Sequence, residues 1–300
     1  MTTIKSIPFD RREGVIWFDG EFVEWKTAQV HVLTHGLHYA SCVFEGERVY
    51  ARQVFKLREH TDRLFRSAAL MDFALPYSKD TIEAATARLI EANGIVDGYV
   101  RPAAWRGSEM MSTSARSSRI HVAIACWRWP NYYDPAARFE GITMQTAAWR
   151  RPPPTCNPHE AKASSQYMIA TLSKHQAESN GYQDALMLDW RGRVAEASSA
   201  NIFLVKGRVI HTPVPDCFLD GITRRTVIAL ARQRGYEVIE REIWPSELAG
   251  FDECFITGTA IEVCPVRQID EHRFMPGAVC KEMVDAYAAA VLCKSSQEQG

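Results

Sequence analysis

The stretch DALMLDWRGRVAEASSANIFLVKGRVIHT, residues 184–212, restricts the possible folds more than any other part of the chain. Short apolar and β-branched runs alternate there with Arg-Gly-Arg and Lys-Gly-Arg, and glycine supplies the positive φ that a tight reversal needs. The pattern predicts a meander, so this half of the chain is built on a sheet. VIWFDGEFVEW, residues 15–25, reads as strand, Asp19-Gly20 turn and strand, a strong hairpin signal. Leu57, Leu64, Ala68 and Met71 at helical spacing predict a helix over 57–73, and a second is expected over 80–93, ended by Asn93-Gly94. GYVRPAAW and RIHVAIACWRW follow as strands. PNYYDPAARFEG, residues 130–141, carries two prolines and a glycine and reads as a connector. The chain is therefore read as α+β in two domains: a small N-terminal domain over 1–129 and a larger one over 142–300. In the latter, DGITRRTVIALARQRGYEVIEREI is a loop, a helix ended by Gly235 and a strand, and ECFITGTAIEVCPV is a strand that breaks at Gly258.

A chain of 300 residues can bury a sizeable core in either one or two domains. Its 35 basic and 36 acidic residues leave a formal charge of −1, which offers nucleic acid or an anionic membrane no electrostatic grip. The opening MTTIKSIPFD has no apolar core of a secretory signal, and DAYAAAVLC near the C-terminus is too short to span a bilayer. Eight cysteines are scattered without a C-x-x-C pair, so no metal site is expected. They read as reduced, mostly buried thiols of a cytoplasmic protein.

One lysine stands apart. In PHEAKASSQYMIATL, residues 158–172, Lys162 is flanked by alanine and serine and opens an apolar run containing Tyr167, Met168, Ile169 and Leu172. For its residue type the commoner reading is a solvated lysine at a helix start. The other is an amine beside a core, with Ala161, Ala163, Ser164 and Ser165 leaving room for a bulky group. Desolvation lowers an amine's pKa and makes it a nucleophile and base near neutrality. A lysine used so holds an aldehyde cofactor, and pyridoxal 5′-phosphate would further need an anion for its ring nitrogen and a cradle for its phosphate. Glu196 is the candidate anion, or else a hairpin-edge glutamate in water. Gly221, with the N–H groups of Ile222 and Thr223, offers a helix N-terminus for phosphate, and Thr259 a further donor. Arg58 is the candidate cation, or else an i,i+4 partner of Asp62.

FKLREH, YVRP, EAKASSQY, VAEASSANIF, DGITRRTVIALA and TGTAIEVCPV, in that order, resemble the fold-type IV pyridoxal-phosphate aminotransferases. HVLTHGLHYASCVFEGERVY, residues 31–50, is most similar to the branched-chain amino-acid aminotransferases among them. The likeness runs from Val15 to Ala289. It implies a small α/β domain followed by a larger one built around a β-barrel-like sheet. It implies transamination between leucine, isoleucine or valine and 2-oxoglutarate, with Lys162 as catalytic residue, holding the cofactor and moving the proton. Glu196 would meet the pyridine nitrogen and Tyr167 the phenolic oxygen, while Arg58, Ile222, Thr223 and Thr259 would hold the phosphate. Substrate contacts would come from Tyr39, Phe44, Tyr99, Trp129 and Tyr132, and the N–H groups of Ala260 and Ile261 would receive the α-carboxylate. Arg101 would pair with the distal carboxylate of glutamate; its alternative is a surface arginine on a strand.

The chain departs from the commoner pattern at Ser164 and Ser165, at Ser198, Ser199 and Ala200, and in the loop RGSEMMSTSARSS, residues 106–118. Glu109 in that loop is expected to place a negative charge near the pocket. The rival activities are a D-amino-acid or (R)-amine transaminase, and a lyase of the aminodeoxychorismate type. A scaffold with a vestigial site is the non-enzymatic alternative. The resemblance also implies a homodimer or larger homo-oligomer.

Overall fold

The computed structural model describes residues 7–129 and 139–297, and the chain divides into two compact units, Met1–Pro130 and Asn131–Gly300. In the first, the described residues form one sheet of seven strands. Val15–Phe18 and Glu21–Glu24 pair with Phe18 opposite Glu21, closing a two-residue turn in which Asp19 (φ 48°) and Gly20 (φ 101°) are both left-handed. Such a turn matches the right-handed twist of the strands it joins. Gly98–Arg106 and Ile120–Arg128 pair in unbroken antiparallel register, and Glu47–Tyr50 and Cys42–Phe44 pair along the outer side of the former.

Two helices, Leu57–Leu70 and Lys79–Ala92, accompany this sheet, the second capped by Ser78 Oγ accepting from Thr81 N at 3.1 Å. The first ends earlier than expected, and of the expected apolar stripe only Leu64 and Ala68 are fully buried. It buries His60, Thr61, Leu64, Ser67 and Ala68, while Leu57 and Met71 are only half-buried. The cause is Glu45, fully buried, which accepts from His60 Nδ1 at 2.7 Å and from Arg63 Nε and Nη2 at 2.6 and 2.8 Å. Burial pushes its carboxyl up, but Arg63 and His60 outweigh that and hold it well below the usual carboxylate range.

The second unit holds a sheet of nine strands. Across it run Val194–Ala197, Asp184–Asp189, Ile142–Arg151, Glu262–Ile269, Glu253–Gly258, Asn201–Lys206, Val209–Pro213 and Glu237–Arg241, with His272–Arg273 beside Glu262–Ile269. Residues 184–212 are therefore not a continuous meander but two hairpins, with three strands between them in sheet order. Val194–Ala197 and Asn201–Lys206 stand five strand spacings apart in that order, about 24 Å if the sheet were flat. Yet only Ser198, Ser199 and Ala200 join them, a link reaching about 14 Å at most. The sheet must curl, and it does so at a turn in which Ala197 N donates to Ala200 O at 2.7 Å.

Two connections are right for parallel strands. The helix Met168–Ser179 joins Ile142–Arg151 to Asp184–Asp189, and the helix Ile222–Gln233 joins Val209–Pro213 to Glu237–Arg241. The core inside the curl includes Met144, Leu186, Ile202, Leu204, Ile256 and Val266. No helix of the described residues is long and apolar enough to cross a membrane.

Candidate active site

Lys162 does not open a helix. It precedes a 3-10 turn, Ser164–Tyr167, and the α-helix starts at Met168. Nor does the apolar run face a core throughout, since Met168 is 66 % exposed and Leu172 is exposed too. The helix instead buries Ala170, Ser173 and Ala177, small residues that allow close packing on the strand Ile142–Arg151. Lys162 is left in extended chain between buried Ala161 and Ala163. It is half-buried, and its Nζ donates to Tyr167 Oη at 2.6 Å.

Glu196 is 6 % exposed, so the solvated hairpin-edge reading fails. It lies at a register shift in the pairing of Val194–Ala197 with Asp184–Asp189, where it stands opposite Met187. A bulge of this kind re-aims a side chain. Burial pushes the Glu196 carboxyl up to about 7, against the opposing pull of the Arg151 and Lys162 charges. Arg151 Nε lies 2.9 Å from Glu196 Oε1. The approach is an ion pair off the N–H axis, because that N–H has no aligned acceptor.

The helix Ile222–Gln233 begins without a side-chain cap, Gly221 occupying the cap position with extended backbone. Its first-turn N–H groups, Ile222 and Thr223 among them, therefore receive no acceptor from a cap side chain. Asn201 fixes this end: Gly221 N donates to Asn201 Oδ1 at 3.2 Å and Asn201 Nδ2 donates to Leu219 O at 3.0 Å. A Cβ on Gly221 would fall 2.3 Å from that Oδ1, so any side chain there must displace the Asn201 amide. Asn201 pairs across the sheet with Thr257, whose buried Oγ1 has no hydrogen-bond partner among the described residues. Thr259, Ala260 and Ile261 form the half-buried turn that follows, between paired Gly258 and Glu262. A Cβ on Gly258 would meet Ala200 Cβ and Ser199 O at 3.6 Å, so this turn and the one after Glu196 are neighbours.

Within the first unit, Arg101 lies over the rings of Phe44 and Tyr99 at 4.7 and 5.4 Å, and Tyr99 packs on Trp129 at 5.2 Å. A Cβ on Gly46 would fall 1.9 Å from Tyr99 Oη, which makes that glycine the floor on which the tyrosine rests. Tyr39 stacks instead on His35. Arg58 bonds to Asp80 at 2.9 Å and lies 3.0 Å from Glu83, so its partners sit on the next helix and not at Asp62. The Glu109 carboxylate folds back to accept from Arg119 N at 3.1 Å, at the base of its own hairpin. Tyr132 lies outside the described residues.

Residues 42–269 match the family model described as amino-transferase class IV. The chain belongs to this family. Like the curated relatives it matches, this class IV amino-transferase is spanned nearly end to end by the likeness. The branched-chain-amino-acid aminotransferase of Pseudomonas aeruginosa is 41 % identical over 283 residues, covering 92 % of each chain. Among solved structures, a T.th. branched-chain amino acid aminotransferase complexed with N-(5′-phosphopyridoxyl)-L-glutamate is 35 % identical, with a TM-score of 0.89 over 94 % of this chain and 95 % of that one. The Thermobaculum terrenum branched-chain amino acid aminotransferase in its PLP form is 29 % identical, with a TM-score of 0.86 over 94 % and 95 %.

Two of this amino-transferase's site residues escape reading from sequence. Arg151, buried, donates from Nη1 to Gln166 O at 2.9 Å and from Nη2 to Ser198 O at 3.2 Å. In the sequence it is one of two adjacent arginines before a proline run, with nothing to mark it. Asn201 did leave a signal, a lone amide opening the apolar strand NIFLV. A buried amide there must satisfy its hydrogen bonds, and a turn supplies them.

Proposed function

We propose that this chain transfers the amino group between a branched-chain L-amino acid and 2-oxoglutarate, with pyridoxal 5′-phosphate as cofactor. The single observation that carries the reading is the juxtaposition in the second unit of the half-buried Lys162 amine, its phenol partner Tyr167 at 2.6 Å, and the buried Glu196 whose carboxyl feels the Lys162 charge. The chain's own residues fit the cofactor. An uncapped helix N-terminus at Gly221 and the unpartnered hydroxyl of Thr257 suit a phosphate, and a carboxylate buried against cations suits a pyridinium. Bound pyridoxal phosphate supplies an aldehyde that takes up amino groups and a protonated ring that withdraws electrons from the carbon being deprotonated.

Lys162 would hold the cofactor through its amine and would move the proton off the substrate's α-carbon. Tyr167 Oη orients that amine and would bond the cofactor's phenolic oxygen. Glu196 holds the ring nitrogen's proton, and Ile222, Thr223, Thr259 and Arg58 bind phosphate. In the first unit, Phe44, Tyr99 and Trp129 are assigned to the apolar side chain, with Tyr39 and Tyr132. Arg101 serves the distal carboxylate of glutamate, as a cation backed by two rings. Ala260 and Ile261 receive the α-carboxylate through backbone N–H groups. The small first domain (1–129), connector (130–141) and larger cofactor domain (142–300) divide this work in a cytoplasmic homo-oligomer.

Half-reactions with L-leucine and D-alanine, followed by the visible absorbance of the bound cofactor, test the reading. L-leucine is expected to discharge the colour and D-alanine to leave it, the reverse overturning the assignment. Lys162→Ala is expected to slow turnover by about 10²–10⁴-fold.

A further inference from the structure

We propose that Arg151 is a positioning residue that favours the carboxylate form of Glu196 and ties it to the segment carrying Lys162. This deepens the reading above and rests on it. Arg151 closes the strand Ile142–Arg151, and its guanidinium has three fixed neighbours. One nitrogen donates to Gln166 O, in the turn that presents Tyr167. Another donates to Ser198 O, two residues beyond Glu196. The third, Nε, stands 2.9 Å from Glu196 Oε1. A guanidinium is planar and always charged, so two carbonyls that fix its plane also fix the direction from which its charge meets the carboxylate.

The charged and titratable groups around Glu196 are few. Lys162 faces it from the segment before the 3-10 turn, Arg151 from the strand end and Cys217 from the loop after Pro213. Cys217 is a neutral thiol, because burial pushes it up. Asp184, on the neighbouring strand, stands behind Ser198, whose Oγ donates to it at 2.6 Å. Of the two cations, Lys162 must lose its proton to act as nucleophile or base. Its pull on Glu196 then vanishes. Arg151 is the cation that stays, and without it burial would leave a neutral acid where a ring nitrogen needs an anion.

The test is made on the cofactor-free protein: unfolding free energy against pH, from 5 to about 10, for wild type, Arg151→Met, Glu196→Gln and the double variant. Glu196 is raised above its unfolded value, so its contribution is full below the ordinary carboxyl range. It is lost as pH rises through the folded value near 7. Arg151→Met is expected to move the end of that decline up by about 1–3 pH units. The shift should disappear when Glu196 is already glutamine. A profile parallel to wild type, or a shift that persists in the Glu196→Gln background, would overturn the proposal. If Arg151→Met does not fold, Arg151→Gln, which keeps a polar side chain without the charge, decides by the same two criteria. No cofactor is present, so failure here leaves the L-leucine half-reaction untouched, and failure of that half-reaction leaves this profile standing.

Discussion

Two neighbouring carboxyls in the first unit, Glu45 and Glu47, are buried in opposite electrostatic states. Glu45 is an anion because His60 and Arg63 converge on it. Arg63→Ala leaves that charge buried with half its compensation, and a loss of about 3–5 kcal/mol is expected at neutral pH, read by denaturant unfolding. A depressed carboxyl stabilises above its unfolded pKa and loses that contribution as pH falls, so the penalty should shrink in acid. A penalty that holds constant down to pH about 3 would contradict the ion-pair account. Glu47 is the reverse. Burial and the nearby Glu45 push it well above the usual range, and its Oε2 has no hydrogen-bond partner among the described residues. A raised carboxyl stabilises in acid and loses that contribution as pH rises. Glu47→Gln should therefore match wild type near pH 5 and become the more stable of the two as the buffer turns alkaline. Thermal unfolding across that range is the check, and parallel curves would refute a neutral Glu47. Neither state is legible in CVFEGERVY, where the two glutamates look alike. What separates them is which one a helix 15 residues further on reaches with a histidine.

At the scale of the element, local chemistry was readable and long-range placement was not. The Asp19-Gly20 hairpin and the Gly235 helix end depend on φ values that a short stretch dictates, and both form as read, with Gly235 at φ 76°. The two hairpins of 184–212 also form, but their separation in the sheet depends on strands drawn from 142–151 and 253–269. No window on the sequence contains that information. The same holds for Arg151, whose partners lie 15 and 47 residues away. Lys162 stands out in the sequence by its alanine and serine neighbours, while the helix expected to carry it starts six residues later. The junction at Gly221 joins both kinds of reasoning. Its sequence announces a glycine before a helix, and the fold adds Asn201 as the neighbour that a side chain there would displace. Gly221→Ala should displace the Asn201 amide and cost about 1–3 kcal/mol, as overpacking does. Chemical denaturation of the cofactor-free protein measures this, and Gly207→Ala, where a Cβ meets nothing within 4 Å but φ is 57°, separates steric from backbone strain.

The whole molecule consists of two units, each with its own sheet, and ligand binding stabilises whatever it touches. Pyridoxal phosphate at about 100 times its dissociation constant adds about 2.7 kcal/mol to the structure that holds it. Lys162, Glu196 and the Gly221 helix end all belong to the second unit, whereas Arg58 belongs to the first. A cofactor held by the second unit alone would slow amide exchange in the helix Ile222–Gln233 and leave the helix Leu57–Leu70 unchanged. A phosphate that also engages Arg58 must slow exchange in both helices, since protection follows the local opening free energy. Arg58 is already held by Asp80 and Glu83 in an exposed setting, and breaking such pairs costs little by itself. Arg58→Ala is thus expected to leave the cofactor-free exchange pattern nearly as it is. Under the proposed assignment of Arg58 to the phosphate, the variant loses the cofactor-dependent protection of Leu57–Leu70 while that of Ile222–Gln233 survives in part. Protection confined to the second unit in the wild-type protein would remove Arg58 from the phosphate site and leave the Lys162–Glu196 arrangement to hold the cofactor by itself.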